Sequence, residues 1–343
     1  MPRTTREITP NVRARRKYTT LKHVTYFFAS LLLLSWCSTL FQLFLPTQVA
    51  RSEETKPEIY KIHICYTPEN TPEQLRRMAR SMFTVLAHLK IELWSNVVFH
   101  IFGDQLGDLN TYVDFGVSHL LHRPQLKVYL KATIHVLHER KVYSEHQKLL
   151  KEEVYVRFYI PFIIDKSVEK YLYLDTDTIV LSDITTLYNS VNLIEWTLAA
   201  GVQRASVCNL GKMLDLADER LRDLGIQDSD PCMSGGVFYV NTSRWIKEKR
   251  TERWEFWVKE NSRAKLYYLG CMPPQMIVFH NEWLQLDADK IVDMKRLACC
   301  DLNQLERSTG IMHPVKELVD NGILEQSLPR NSVAFLNRWL KWK

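Results

Sequence analysis

The sequence carries no surplus charge of either sign once its first 23 residues are set aside. Arg3, Arg6, Arg13, Arg15, Arg16, Lys17 and Lys22 face only Glu7 there and account for the whole formal charge of +6; the other 38 Lys and Arg are matched by 38 Asp and Glu. A neutral body offers no basic footprint to a phosphate backbone, which excludes nucleic acid as a partner. No two cysteines stand at CxxC spacing, so the usual zinc frameworks are missing. Internal repeats and low-complexity segments are missing too. A hydrophobic content of 46% is ample for a buried core, in one large α/β domain or two smaller ones.

Residues 24–45 (VTYFFASLLLLSWCSTLFQLFL) lack any charged side chain. That run is long enough to cross a bilayer, and its LFQLFLP end does not resemble the small-residue cleavage site of a signal peptide. The expectation is a retained transmembrane anchor, with residues 1–23 as a cytoplasmic tail because basic flanks stay on the cytoplasmic side. Residues 46–58 (PTQVARSEETKPE) are polar, have no apolar periodicity and read as a stem. Residues 59–343 are then lumenal or extracellular. There Cys65, Cys208, Cys232, Cys271, Cys299 and Cys300 meet a compartment that permits disulfides; their even number allows full pairing, and the connectivity stays open. Asn241-Thr242-Ser243 is the sole glycosylation acceptor pattern, and its place at the end of an apolar run argues against its use.

IYKIHICYT (59–67) reads as a strand, 72–89 as an amphipathic helix and NVVFHIFGD (96–104) as a second strand, which implies a parallel αβ sheet. A basic helical stretch follows. KLLKEEVYVRFYIPFII (148–164) then leads into the strand YLYLDTDTIVL, and beyond it come another helix-like stretch, the strand GGVFYVN (235–241), one amphipathic helix over 242–260 and the apolar QMIVFH (275–280). His135 and His138 stand three apart on a helical stretch without a third partner, and read as surface residues rather than metal ligands. Trp254 and Trp257 read as packing residues, and KEKR (247–250) as a solvated face.

The stretch YLYLDTDTIVLSD (171–183) places two carboxylates two positions apart after an apolar run. Such anions repel and lose hydration as the chain compacts, so a cation, a basic side chain or a shared proton must compensate. On a regular strand Asp175 and Asp177 project to the same side and can offer both carboxylates to one cation. Hard oxygen ligands suit Mg²⁺ or Mn²⁺ bridging to phosphate. A surface turn is the plain alternative, disfavoured by the apolar residues on either side. An aspartyl phosphatase pattern is the enzymatic one, disfavoured because roughly a hundred residues of αβ sequence precede Asp175.

RFYIP followed by KYLYLDTDTIVLSDI, and later SGGVFYVNTSRW, resemble the motifs of glycosyltransferase family 8, the retaining sugar-nucleotide transferases of GT-A fold. The resemblance runs loosely over 59–316 and is sharpest over 157–183 and 234–245. It implies a GT-A, Rossmann-like α/β fold: a mixed, mainly parallel sheet flanked by helices, behind the N-terminal transmembrane helix. It implies that Asp175, Asp177 and His313 (in GIMHPVKE) hold Mn²⁺, with Mg²⁺ as the second candidate, on the diphosphate of a UDP-sugar. Arg157 then lies near the donor and Thr67 against uridine, Gly235 and Gly236 let the backbone approach the sugar, Ser234 beside them hydrogen-bonds the donor with a shorter reach than the family's Asn, and Lys316 grips phosphate if its loop is rearranged. Gln275, near the anomeric carbon, and Asp177 are the catalytic candidates.

Some positions depart from the family pattern. Ser234 replaces an Asn, Pro274 replaces an Asp, and Lys316 and Val319 stand where the family has Gly and Lys. The expected activity is retaining transfer of a sugar from a UDP-sugar to a glycan or glycoprotein, by a type II membrane protein of the Golgi or endoplasmic reticulum. Xylose is favoured through the family's anchored animal xylosyltransferases, with glucose and galactose open, and a homodimer is a further candidate assembly. The rival is a silent relative that binds nucleotide sugar or glycan, or partners an active transferase.

Overall fold

The computed structural model of the protein describes residues 61–103, 125–129, 152–203, 208–268, 270–287, 290–293 and 310–313, all within the unit Ile59–Lys343. The anchor expected at 24–45, its tail and stem, His135 and His138, Cys299 and Cys300, and Lys316 lie outside the described residues. Among the described residues, no helix is long and apolar enough to cross a membrane.

The first strand, β1 (Ile62–Tyr66), feeds helix α1 (Pro72–Ala87) and then β2 (Val97–Ile101), which pairs in parallel with β1. The Thr71 hydroxyl caps α1 by accepting from the Gln74 amide at 3.3 Å, and Pro72 opens the helix where its missing N–H costs nothing. On the outer flank β3 (Gln125–Val128) pairs in parallel with β2, where only helical sequence was expected. β4 (Lys170–Leu174) pairs in parallel with the other flank of β1. β7 (Cys232–Asn241) runs antiparallel to both β4 and β6 (Leu198–Gln203), and β8 (Leu284–Leu286) closes the sheet parallel to β6. The order β3-β2-β1-β4-β7-β6-β8 is therefore mixed and mainly parallel, as the family resemblance implies. A second sheet joins β5 (Ile179–Val180), β10 (Ile311–His313) and β9 (Ile291–Asp293), in the order β5-β10-β9.

Period-two alternation sends side chains to both faces, and both faces are apolar. Ile62, Ile64, Leu172, Leu174, Val237 and Tyr239 pack with α1 on one side. On the other, Cys65, Tyr171, Tyr173, Phe238 and Val240 pack with the segments of α2 (Glu152–Val156) and α3 (Ile160–Ile163). Ile184–Asn189 (α4) follows β5, and Leu210–Met213 (α5) and Glu219–Arg222 (α6) fill the excursion between β6 and β7. That excursion is tied by the Cys208–Cys232 disulfide, while Cys65 and Cys271 are buried free thiols. The pairing that an even count allows is thus not complete among the described residues.

The single helix expected over 242–260 is two helices, α7 (Thr242–Lys247) and α8 (Arg250–Ala264), broken at Lys249 with φ 53°. Packing imposes the break. Trp245 donates its indole N–H to the Thr251 hydroxyl at 2.8 Å, Thr251 donates to the Phe158 carbonyl at 2.6 Å, and Trp254 stacks on Phe158 at 4.2 Å. KEKR is accordingly not a solvated face throughout. Arg250 is buried, its guanidinium shared among Glu248, Glu282 and the Val278 carbonyl. Trp254 is buried and Trp257 packs against the same core, as packing residues should. Asn241 is held on both sides: Oδ1 accepts from the Arg244 amide at 3.0 Å and Nδ2 donates to the Leu193 carbonyl at 3.1 Å.

At the sheet's outer edge His63 and His100 lie 2.8 Å apart, and His100 reaches Tyr129 at 2.8 Å. Burial, reinforced by Lys127 and, for His100, by His63, lowers both imidazoles, His63 to about 4 and His100 to about 3. Both are neutral when folded, whereas the unfolded chain takes up protons near pH 6.5. Their contribution is therefore complete above about pH 6.5 and is lost as pH falls toward 4. Urea denaturation at pH 7.5 and pH 5 should show wild type losing stability, and His63→Gln should reduce that loss by about 1–2 kcal/mol.

Candidate active site

β1 is flanked on one side by β2 and on the other by β4, so connections leave it in opposite directions and the sheet has its switch point between β1 and β4. Ligands of open α/β sheets bind outside the carboxyl ends of the strands at such a point. The residues there are Thr67, just past β1, and Asp175, just past β4.

The strand reading of the two aspartates needs correction. β4 ends at Leu174, and residues 175–178 form a turn into β5, so Asp175 and Asp177 do not alternate along a regular strand. They converge because the second sheet delivers a third residue to the turn. β10 pairs antiparallel with β5, with Met312 opposite Ile179, and this register sets His313 beside the turn. His313 Nε2 stands 3.3 Å from Asp175 Oδ2 and 3.5 Å from Asp177 Oδ1. One ligand atom from each of the three lies within 4.8 Å of the others.

Asp175 is braced from behind. Its Oδ1 accepts from Arg157 Nη2 at 3.1 Å and from the Tyr173 hydroxyl at 2.9 Å, leaving Oδ2 toward His313. Because Tyr173 spends its proton on Asp175, the 2.8 Å contact between Thr67 and Tyr173 has Thr67 as donor. Arg157 is 8% exposed, with Nε on the Val154 carbonyl at 2.9 Å and Nη1 on the Gly235 carbonyl at 2.6 Å, and its guanidinium lies 4.7 Å from the Tyr173 ring. Burial by itself raises the Asp175 carboxyl; Arg157, His313 and Tyr173 outweigh it and hold the group well below the usual carboxylate range. Burial likewise lowers the His313 imidazole, but its bonds and charges with Asp175 and Asp177 prevail and push it up to about 9. The carboxylates thus favour a positive charge at this place, which a metal ion would supply instead of the imidazolium.

The other expected site residues fall into two groups. Gly236 faces the triad: a Cβ there would meet His313 Cε1 at 2.2 Å, His313 Nε2 at 2.3 Å and Asp175 Oδ2 at 2.6 Å. The Gly236 carbonyl also accepts from the Asp175 amide at 2.8 Å. Gly235 is required for packing, since a Cβ would meet Met272 Cγ at 2.8 Å. Ser234 is buried on β7 beside them. Gln275, in α9 (Met272–Val278), is 1% exposed, and neither polar atom of its side chain has a hydrogen-bond partner. Thr67 and Arg157, which the resemblance sets beside the donor, also brace Asp175: Arg157 bonds its Oδ1 directly, and Thr67 bonds the Tyr173 hydroxyl that does so. Tyr173 was missed by sequence reasoning, although its parity with Asp175 on the approach strand was a usable signal.

The donor set suits a hard divalent cation: two carboxylate oxygens and an imidazole nitrogen converge, and the missing side chain at Gly236 keeps the space between them open. Ligation would fall to Asp175, Asp177 and His313, with Arg157 and Tyr173 fixing the orientation of the first.

A mixed sheet bearing this carboxylate turn at its switch point defines a protein of the GT-A glycosyltransferase fold. The chain belongs to glycosyltransferase family 8, which it matches over residues 52–290. It is 29% identical over 228 residues to probable galacturonosyltransferase-like 8 of Arabidopsis thaliana, covering 64% of this chain and 55% of that protein. With human glycosyltransferase 8 domain-containing protein 2 it shares 31% over 163 residues, 41% of this chain and 45% of that one. The chain thus spans about half the length of these curated relatives. Solved structures of similar fold include galactosyltransferase LgtC in complex with donor and acceptor sugar analogs (TM-score 0.52, 14% identity, 74% of this chain and 86% of that one). Another is apo mouse xyloside xylosyltransferase 1 (TM-score 0.51, 12% identity, 74% and 97%).

Gly236→Ala tests the geometry. The displaced atoms are side-chain ends, so the fold should survive at a cost of about 1–3 kcal/mol. Titration calorimetry should find Mn²⁺ affinity lowered about 100-fold; unchanged affinity would show that the triad holds no metal.

Proposed function

We propose that the protein is a retaining glycosyltransferase that moves a sugar from a UDP-sugar to a glycan or glycoprotein acceptor. The observation that carries this reading is the convergence of Asp175, Asp177 and His313 around the opening left by Gly236. Mn²⁺, or Mg²⁺ in its place, would supply Lewis-acid neutralisation of the diphosphate as the sugar–phosphate bond breaks. Arg157 and Tyr173 keep Asp175 ionised and aimed with Oδ2 outward. Gln275 is the catalytic candidate on the sugar side; its buried, unpartnered amide has unmet hydrogen bonds that a donor hydroxyl would satisfy.

Xylose is our first choice of donor sugar, followed by glucose and galactose, and the name of the plant relative adds galacturonate to the candidates. We place the protein in the Golgi or endoplasmic reticulum membrane as a single-pass type II protein. The uncharged run at 24–45 behind a basic tail supports this placement, as does the Cys208–Cys232 disulfide, which belongs to an oxidising compartment.

Full-length protein in detergent, screened with Mn²⁺ against UDP-xylose, UDP-glucose, UDP-galactose and UDP-galacturonate, should hydrolyse one of them. Asp175→Asn with Asp177→Asn should lower that rate about 100-fold or more. Mn²⁺ binding without hydrolysis of any of the four would favour the silent relative, for which Pro274 in place of the family's Asp and the altered sequence after His313 are the supporting features.

A further inference from the structure

The turn that carries both aspartates is fastened to helix α1 by a chain of buried hydroxyls. Thr178 Oγ1 donates to the Asp175 carbonyl at 2.9 Å, closing residues 175–178 on themselves. Ser81 Oγ lies 2.7 Å from Thr178 Oγ1, and Tyr66 OH lies 2.9 Å from Ser81 Oγ. Each hydroxyl has one proton, so the direction of the chain is determined. With the Thr178 proton committed to Asp175, Ser81 must donate to Thr178, and Tyr66 in turn to Ser81. Thr84, one turn further along α1, donates to the Ser81 carbonyl at 2.7 Å and accepts the Val180 amide at 3.1 Å. At the other end of the helix Gln74 accepts from Thr176, the residue between the two aspartates.

Gln74, Ser81 and Thr84 share one face of α1, and Ser81, Thr84 and Thr178 are all buried. A buried hydroxyl that loses its partner keeps its desolvation cost, so the chain is coupled from Tyr66 to Asp175. We propose that Ser81, Thr84 and Thr178 are positioning residues for the metal ligands: α1 fixes the turn so that Asp175 Oδ2 and Asp177 Oδ1 both face His313. This rests on the metal reading above. They touch neither metal nor substrate and act through the backbone of Asp175 and Val180.

The test is Mn²⁺ binding to the full-length protein without nucleotide, followed through loss of the free-ion electron paramagnetic resonance signal, with thermal melting in parallel. Thr178→Val keeps the shape and deletes the hydroxyl, and should weaken Mn²⁺ about 10- to 100-fold. Thr178→Ser should restore binding, and Ser81→Ala should move in the direction of Thr178→Val. Thr251→Val deletes an equally buried hydroxyl on α8, bonded to Phe158 rather than to the turn; it should lower the melting temperature and leave Mn²⁺ binding unchanged.

Wild-type affinity in Thr178→Val overturns the inference while leaving the metal reading intact. Equal weakening in Thr251→Val overturns it too, by tracing the loss to general destabilisation. Absence of Mn²⁺ binding in wild type overturns the metal reading itself. If Thr178→Val does not fold, Ser81→Ala is judged by the same criteria.

Discussion

Two carboxylates and an imidazole drawn within 4.8 Å of one another set the terms for the rest of the molecule. At that separation two like charges in a protein of effective dielectric near 20 repel by about 3 kcal/mol. Several groups offset this. Arg157 neutralises Asp175 from behind through a charge-assisted bond at 3.1 Å, Tyr173 adds a second donor to the same oxygen, and His313 Nε2 stands within 3.5 Å of both carboxylates. Removing the cation from such a partly buried pair exposes the carboxylate to its desolvation cost, so Arg157 belongs to the architecture of the site as much as to its charge balance.

The fold supplies this arrangement by placing chain ends rather than by any single motif. The switch point between β1 and β4 brings Thr67 and Asp175 to one crevice. The antiparallel register of β7 sets the Gly236 carbonyl on the Asp175 amide and leaves a gap where a side chain would stand. β10, pairing with the two-residue β5, carries His313 in from the far end of the sequence. Three separate pairings must all hold for the three ligand atoms to meet, which makes the site a property of the assembled domain.

Much of this was legible in the amino-acid order. Apolar runs such as KYLYL and CMSGGVFYVN are apolar on both parities because helices cover both faces of the sheet, so the strands announced themselves. The DTD triplet showed that compensation was needed, and GIMHPVKE supplied the histidine through family resemblance. Other features depended on tertiary contacts that periodicity does not encode. The break at Lys249 exists because Trp245 and Trp254 both need the Phe158 segment, at angles that one straight helix cannot satisfy. Buried Arg250 looked like part of a solvated run because two of its three partners, the Val278 carbonyl and Glu282, lie 28 and 32 residues away. The resemblance sets Arg157 near the donor, and only the geometry shows that its guanidinium also bonds Asp175 and the Gly235 carbonyl.

The central claim is that Asp175, Asp177 and His313 share one divalent ion with the diphosphate of a nucleotide sugar. The most direct measurement is anomalous diffraction at the manganese edge from crystals soaked in Mn²⁺ and UDP. The account predicts a single strong peak bonded to all three side chains and to the diphosphate oxygens. A peak elsewhere, or UDP bound in the crevice with His313 turned away and no metal beside it, would contradict it.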